Sequence, residues 1–249
     1  MRPPVAYHFS VDDVLGALLE VSDARMPLFE HPFFAFLRQL HDEFDVTVDL
    51  YLFYRTLVAG RSRTLAEISA SVNESLDANP WLRLGPHALD RDTPPHAQSR
   101  ADQQRTVGAI YAEIDRFAPA AHRSRWVRLH EFSECYEIAR YLRSHGVDAL
   151  LTTDKPAVSY RLPTRCRERL ARRGRTVHRG IGLIRSDLRV EQLVAAGLSA
   201  VGVRRALDDL LRRRRRVVVF THEYELARPA VREMTRIVLQ HLASRAVSV

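Results

Sequence analysis

The chain has 249 residues, 46% of them hydrophobic, which is enough to bury one large core and suits a single domain over residues 1–249. No apolar run approaches the roughly 20 residues that cross a bilayer, and no basic segment leads into an uninterrupted apolar stretch, so a membrane span is excluded and a cytoplasmic protein is expected. The formal charge of +8 is almost all arginine, with Lys155 the one lysine, and the chain has neither zinc-finger spacing nor an aromatic RNA-binding signature, so a nucleic-acid partner is not expected.

Short β-branched or aromatic runs alternate with longer segments of helical period, the pattern of repeated βα units around a parallel sheet. Strands are predicted at residues 5–10, 46–53, 81–84, 126–129, 149–152, 182–185 and 217–221, seven in all. Helices are predicted from "HPFFAFLRQLHDEF", with Phe33, Phe36, Leu37 and Leu40 on one face, and from "SRTLAEISASVNESL", with Leu65, Ile68, Val72 and Leu76 likewise. Four more follow from "RADQQRTVGAIYAEIDRF", "SECYEIARYLRSHG", "TRCRERLARRG" and "PAVREMTRIVLQHLAS", with glycines after helix ends and proline near a helix start. The stretch "GPHALDRDTPPHAQS" has no period and reads as a surface loop. The run Arg212 to Arg216 lies between a helix and the apolar "VVVF", where cations complement the helix dipole. Cys135 and Cys166 have no metal-ligand spacing and read as ordinary thiols.

Chemistry collects at the strand ends. Asp12 and Asp13 follow the first predicted strand, His87 the third, Arg128 and His130 stand at the fourth, and Asp154, Asp187 and His222 follow the last three. In barrels and open α/β sheets the C-terminal strand ends converge on the ligand, so these scattered groups form one expected site. The set suits metal-assisted hydrolysis: one aspartate ligates a divalent cation and the other acts as a base, His87 is a neutral imidazole ligand for zinc or a similar ion, and His222 is a proton donor oriented by Asp154. Taken singly, each has a plainer reading, such as a helix-capping Asp12–Asp13 pair, a surface His87, or a structural His130. His8, inside the first strand, reads as a packed, hydrogen-bonded histidine.

The phrases "HFSVDDV", "WLRLGPHALD", "RLHEF", "LLTTD" and "VVVFTHE" together resemble the polysaccharide deacetylase superfamily, the NodB-like carbohydrate esterases, in a bacterial branch of that glycoside hydrolase/deacetylase-type barrel group. The resemblance runs from first strand to last and implies a distorted seven-stranded (β/α) barrel, TIM-barrel-like, with a metal-dependent site. Ser10-Val11-Asp12-Asp13 is similar to the first family motif, which implies Asp12 as general base and Asp13 as metal ligand. His87 matches the first metal histidine of the second motif, but the second histidine, four residues on, falls at Arg91; Asp90, Asp92 or His130 would then complete the coordination. Arg128-Leu129-His130 looks like the third motif with His130 replacing a proline, which implies that Arg128 steadies Asp12. Phe220-Thr221-His222 looks like the last motif and implies His222 as general acid, with Asp154 orienting it. The implied reaction is removal of an N-acetyl or O-acetyl group from a carbohydrate, such as a cytoplasmic glycan precursor, with a divalent ion, zinc foremost, as cofactor. Two other readings stand beside it: a degenerate barrel that binds a sugar or partner without turnover, and a glycosidase pairing Asp12 with Asp154 or Asp187.

Overall fold

In the computed structural model, which describes residues 5–153 and 161–249, the chain begins with strand β1 (Val5–Val14), the backbone of the architecture. Helices α1 (Gly16–Ala24) and α2 (Pro32–Phe44) lead to β2 (Val48–Phe53), whose six residues are all buried. A hairpin of β3 (Arg55–Val58) and β4 (Arg61–Thr64) and the short helix α3 (Val72–Asp77) come before β5 (Leu82–Ala88). The long helix α4 (Arg100–Phe117) is capped by the Ser99 side chain, which accepts from the Asp102 amide; it buries Val107, Ile110, Tyr111, Ile114 and Phe117 at helical spacing. Then come β6 (Trp126–Val127), α5 (Ala139–Ser144), β7 (Ala149–Thr152), α6 (Thr164–Arg173), β8 (Arg175–His178), β9 (Ile181–Arg185) and β10 (Leu188–Arg189). The chain finishes with α7 (Val190–Ala195), α8 (Ala200–Arg213), β11 (Arg216–His222), α9 (Pro229–Ala243) and β12 (Ala246–Ser248).

The strands form two ladders, β10-β11-β1-β2-β5 with β12 also on β1, and β6-β7-β9-β8; within them only the β8–β9 pair is antiparallel. Two backbone contacts link the two ladders. At one, the Ser124 amide donates to the Leu84 carbonyl at 2.8 Å and carries β5 toward β6. At the other, the Asp187 amide donates to the Val218 carbonyl at 2.9 Å, so the chain leaving β9 crosses onto β11. All seven predicted strands are present. Their parallel pairing explains the near-continuous apolar runs, since helices cover the outside and side chains fill the inside.

Several local expectations give way. The spacing of Leu65, Ile68, Val72 and Leu76 reflects burial, for all four are buried, but the segment is strand β4, a 3₁₀ turn at Leu65–Glu67, and then α3. A left-handed tip at Ala59 and Gly60 (φ 49° and 78°) reverses the chain into the hairpin, and Glu67 ends it by accepting from the Thr64 amide. In "SECYEIARYLRSHG" the α-helix is confined to α5, after a 3₁₀ turn. The expected loop after residue 84 is strand through Ala88, because Gly85 lacks a Cβ that would lie 3.1 Å from that of Ser124 and 3.3 Å from the Tyr51 ring. His8 is buried as expected, with Nε2 3.1 Å from the Tyr51 hydroxyl, and burial lowers its pKa to about 3. Both cysteines are free and buried. Among the described residues no helix is long and apolar enough to cross a membrane.

Gly182 tests the packing between β7 and β9, where a Cβ would lie 3.0 Å from that of Ala149 and 3.1 Å from the Asp148 carbonyl oxygen. Gly182→Val should cost about 1–3 kcal/mol by overpacking. Thermal unfolding should register the loss, and an unchanged midpoint would contradict this contact.

Candidate active site

Adjacent residues of a strand point to opposite faces, so two neighbouring aspartates reach one site only if the backbone bends. It does: the β1–β2 register shifts between Val11 and Val14, and Asp13 has a φ of 62°, a left-handed conformation that aspartate tolerates better than most residues. Asp12 stays in register beside His222 on β11. The turn is held from the side by Glu223, whose Oε2 and Oε1 accept from the Leu15 and Ala17 amides, each at 2.9 Å, while its own amide donates to the Asp12 carbonyl at 3.0 Å. A Cβ at Gly16 would lie 2.6 Å from Glu223 Oε1 and would have to displace that carboxylate. Burial pushes the Glu223 carboxyl up to about 7 against the pull of those two amides.

Asp12 and Arg128 form a buried pair. Arg128 Nη1 donates to Asp12 Oδ1 and to Ser10 Oγ, both at 2.8 Å, and Nη2 donates to Ser186 Oγ at 3.2 Å. The guanidinium also lies 4.0 Å from the centre of the Phe220 ring. This fork fixes the orientation of the Asp12 carboxylate.

Asp13, His87 and His130 form a second cluster, with one ligand atom from each within 4.8 Å of the others. His87 Nδ1 donates to the Arg128 carbonyl at 2.7 Å, and His130 Nε2 donates to the Arg91 carbonyl at 3.1 Å. A carbonyl only accepts, so in the neutral rings these bonds fix the tautomers and leave lone pairs on His87 Nε2 and His130 Nδ1. Those lone pairs face each other at 3.2 Å and face Asp13 Oδ1 at 3.0 and 3.7 Å. Asp13 Oδ1 is buried and takes no aligned hydrogen bond. Three acceptors thus converge with no proton among them, which is costly unless a cation sits between. A tetrahedral ion with bonds of 2.0–2.1 Å has ligand–ligand edges of about 3.3 Å, and the three separations bracket that value. The donor set fits a divalent metal.

The surroundings reinforce this arrangement. Phe53, at the end of β2, packs edge-on against both rings, at 5.0 Å from His87 and 5.1 Å from His130. Two successive left-handed residues, Glu131 (φ 52°) and Phe132 (φ 56°), turn the chain just after His130, each an expense of order 1–3 kcal/mol of the kind that gathers at functional sites. Burial works to raise the Asp13 carboxyl; a protonated His87, through a hydrogen bond and its charge, with His222 and His130 behind it, outweighs burial and holds the carboxyl below the ordinary range, so a cation or a proton must relieve this cluster. Burial foremost lowers the His130 pKa and so favours the neutral ring.

His222 Nδ1 donates to Glu191 Oε1 at 2.7 Å, and Glu191 Oε2 accepts from Thr221 Oγ1 at 3.0 Å. Burial lowers the His222 pKa, but Glu191, Asp12 and Asp13 more than offset it, so the ring stays protonated to higher pH than an ordinary histidine. The free ring nitrogen, Nε2, is the one left to present a proton.

The structure therefore brings together Asp12, Asp13, His87, Arg128, His130 and His222. His87 is not on a surface loop; it lies in β5 and is 2% exposed. Asp154 lies outside the described residues, and Glu191, which the sequence did not single out, holds His222. Asp187 is turned away: its Oδ2 accepts from the Val218 amide at 3.0 Å and its Oδ1 lies 4.0 Å from Arg214, near the other end of β11. Asp90 is bound to Arg55 at 2.7 Å, and among the described residues the cluster that converges on Asp13 and His87 takes His130 rather than Asp90 or Asp92. A cavity of about 510 Å³ opens beside the Arg91 carbonyl, lined by Arg55, Leu57, Ser62 and Asp90 to Asp92. The signals for Glu191 and Phe53 were weak: an acid in a helix's first turn also complements the dipole, and a strand-end phenylalanine is ordinary core.

No family model and no curated protein matches the sequence. Among solved structures, the chain superimposes on the 4-alpha-glucanotransferase of Thermococcus litoralis with a TM-score of 0.61 at 12% identity, covering 98% of this chain and 37% of that one. It also matches the chitin deacetylase of the fungal pathogen Colletotrichum lindemuthianum (TM-score 0.55, 13% identity, 100% and 86% covered). The catalytic domain of the peptidoglycan N-acetylglucosamine deacetylase of Eubacterium rectale is similar too (TM-score 0.52, 9% identity, 100% and 90% covered). The chain has the fold of the NodB-like polysaccharide deacetylases, an α/β fold of barrel type.

The Asp12–Arg128 pair gives a stability test. Asp12→Ala strands a buried guanidinium and should cost about 3–5 kcal/mol in urea denaturation, and adding Arg128→Met should recover most of it. A single variant as stable as the parent would show that the pair is not the buried constraint described.

Proposed function

We propose that this protein is a divalent-metal-dependent hydrolase that removes an acetyl group from a carbohydrate. The observation that carries the reading is the convergence of three proton-free ligand atoms beside an oriented base and an oriented acid, in a chain with a carbohydrate-deacetylase fold. Asp13, His87 and His130 would hold the ion, and a mixed imidazole and carboxylate set suits zinc. When bound, such an ion supplies a Lewis acid and lowers the pKa of a water in the site.

The chain's own groups do the rest. Asp12, its carboxylate fixed by Arg128, accepts the proton of the attacking water. His222, charged and held by Glu191, gives a proton to the departing amine or hydroxyl. Each transfer is worth about 10²–10⁴ in rate. The cavity beside Arg91 is wide enough for the neighbouring part of a glycan. A glycosidase pairing of Asp12 with Asp187 finds no support, because the Asp187 carboxylate faces Val218 and Arg214.

Acetate release from a panel of N- and O-acetylated oligosaccharides, with and without zinc, tests the proposal. Zinc-dependent release that His130→Ala reduces by at least about a hundredfold is expected. Tight sugar binding with no release from any substrate would instead support a barrel that binds without turnover.

The pH profile tests the acid separately. The rate should fall as pH rises through the elevated His222 pKa. Glu191→Gln removes the main group holding that pKa up, so the alkaline limb should move to lower pH, with kcat at pH 8 down by roughly tenfold or more. An unmoved alkaline limb would remove His222 from the role.

A further inference from the structure

The chain's positive charge is not spread over its surface. Residues 161–179 hold eight arginines and one acid, and residues 204–216 hold seven arginines and two acids. These two segments therefore carry a formal +12 against +8 for the whole chain, which leaves −4 on everything else. The helix dipole accounts for Arg172 and Arg173 in the last turn of α6 and for Arg212 and Arg213 in that of α8, but not for the rest.

The fold brings the two segments to one edge. The Arg214 guanidinium lies against Gly174, just past the end of α6, where a Cβ would be 2.7 Å from its Nη1. The ends of α6 and α8 and the starts of β8 and β11 thus meet. Neutralisation there is slight: Arg212 pairs with Asp209, and Arg214 lies 4.0 Å from Asp187. Among the described residues Arg172, Arg173, Arg175, Arg213 and Arg215 take no ion pair. Burial, and after it the nearby charge of Arg175, lowers the Arg216 pKa. The edge lies at the opposite end of β11 from His222, at six steps of the strand or about 20 Å, and so is separate from the candidate active site.

An apolar side chain stands among these cations. Strand β8 is the outer edge of its ladder, and by alternation Arg175 and Val177 share its outward face, with Val177 66% exposed. Neither segment exposes a large aromatic side chain on which a base would stack. We propose that this arginine-rich edge, with Val177, docks the protein on an anionic phospholipid surface. Guanidinium forks bind headgroup phosphates bidentately, and Val177 enters the headgroup layer. This leaves the opposite rim, with Asp12 and His222, open.

Vesicle co-sedimentation of the full chain tests the proposal, with neutral phosphatidylcholine vesicles compared with ones containing roughly one-third phosphatidylglycerol. Binding to the anionic vesicles alone is expected at about 0.1 M salt and should be lost at about 1 M. The triple variant Arg172→Gln, Arg173→Gln and Arg213→Gln alters exposed side chains only. It should bind about a hundredfold more weakly, at about fivefold per charge removed. Val177→Ser should weaken binding severalfold without changing its salt dependence. Equal binding to both vesicle types, no binding to either, or tighter binding to a random-sequence DNA duplex in the same buffer would overturn the proposal.

Discussion

Three lone pairs with no proton between them are the constraint around which the rest is arranged. Asp13 Oδ1, His87 Nε2 and His130 Nδ1 lie 3.0 to 3.7 Å apart, and two backbone carbonyls keep hydrogen away from the facing nitrogens. An isolated protein gains nothing from crowding acceptors in a buried spot, and it accepts strained backbone at Asp13, Glu131 and Phe132 to do so. One residue also links this cluster to Asp12. Arg128 fixes the His87 tautomer through its carbonyl and the Asp12 carboxylate through its side chain.

The fold supplies this at the level of strand register. Because β1 and β11 run parallel with Asp12 opposite His222, the proposed base and the proposed acid stand on neighbouring strands at the same height. The bulge in β1 then swings Asp13 toward β5 and the residues after β6, where the two histidines wait. Glu223, the next residue after His222, ties the turn after Asp13 to β11 through three hydrogen bonds. Arg91 contributes a backbone acceptor to the cluster and also lines the neighbouring cavity.

Much of this was legible in the sequence, and the reasons differ by element. The strands declared themselves because parallel strands are buried on both faces and read as β-branched runs. Asp12, Asp13, His87, Arg128, His130 and His222 were legible because strand ends converge in such folds, whatever the intervening loops do. The hairpin at residues 55–64 was not, since the apolar spacing of Leu65 to Leu76 fits a helix as well as the turn and short helix it makes. Glu191 was hidden as a helix-start acid, and its link to His222 exists only once α7 packs beside β11. The arginine edge was hidden in a different way: each run looks ordinary alone, and only the contact between Gly174 and Arg214 makes them one surface.

The account rests on the protonation of two rings, and histidine nitrogen NMR of the metal-free and zinc-titrated protein reads it directly. His87 should carry its proton on Nδ1 and His130 on Nε2, and zinc should shift the opposite nitrogens, His87 Nε2 and His130 Nδ1, together and at one equivalent. A doubly protonated His87 bridging to Asp13 at neutral pH, with neither ring responding to zinc, would contradict it.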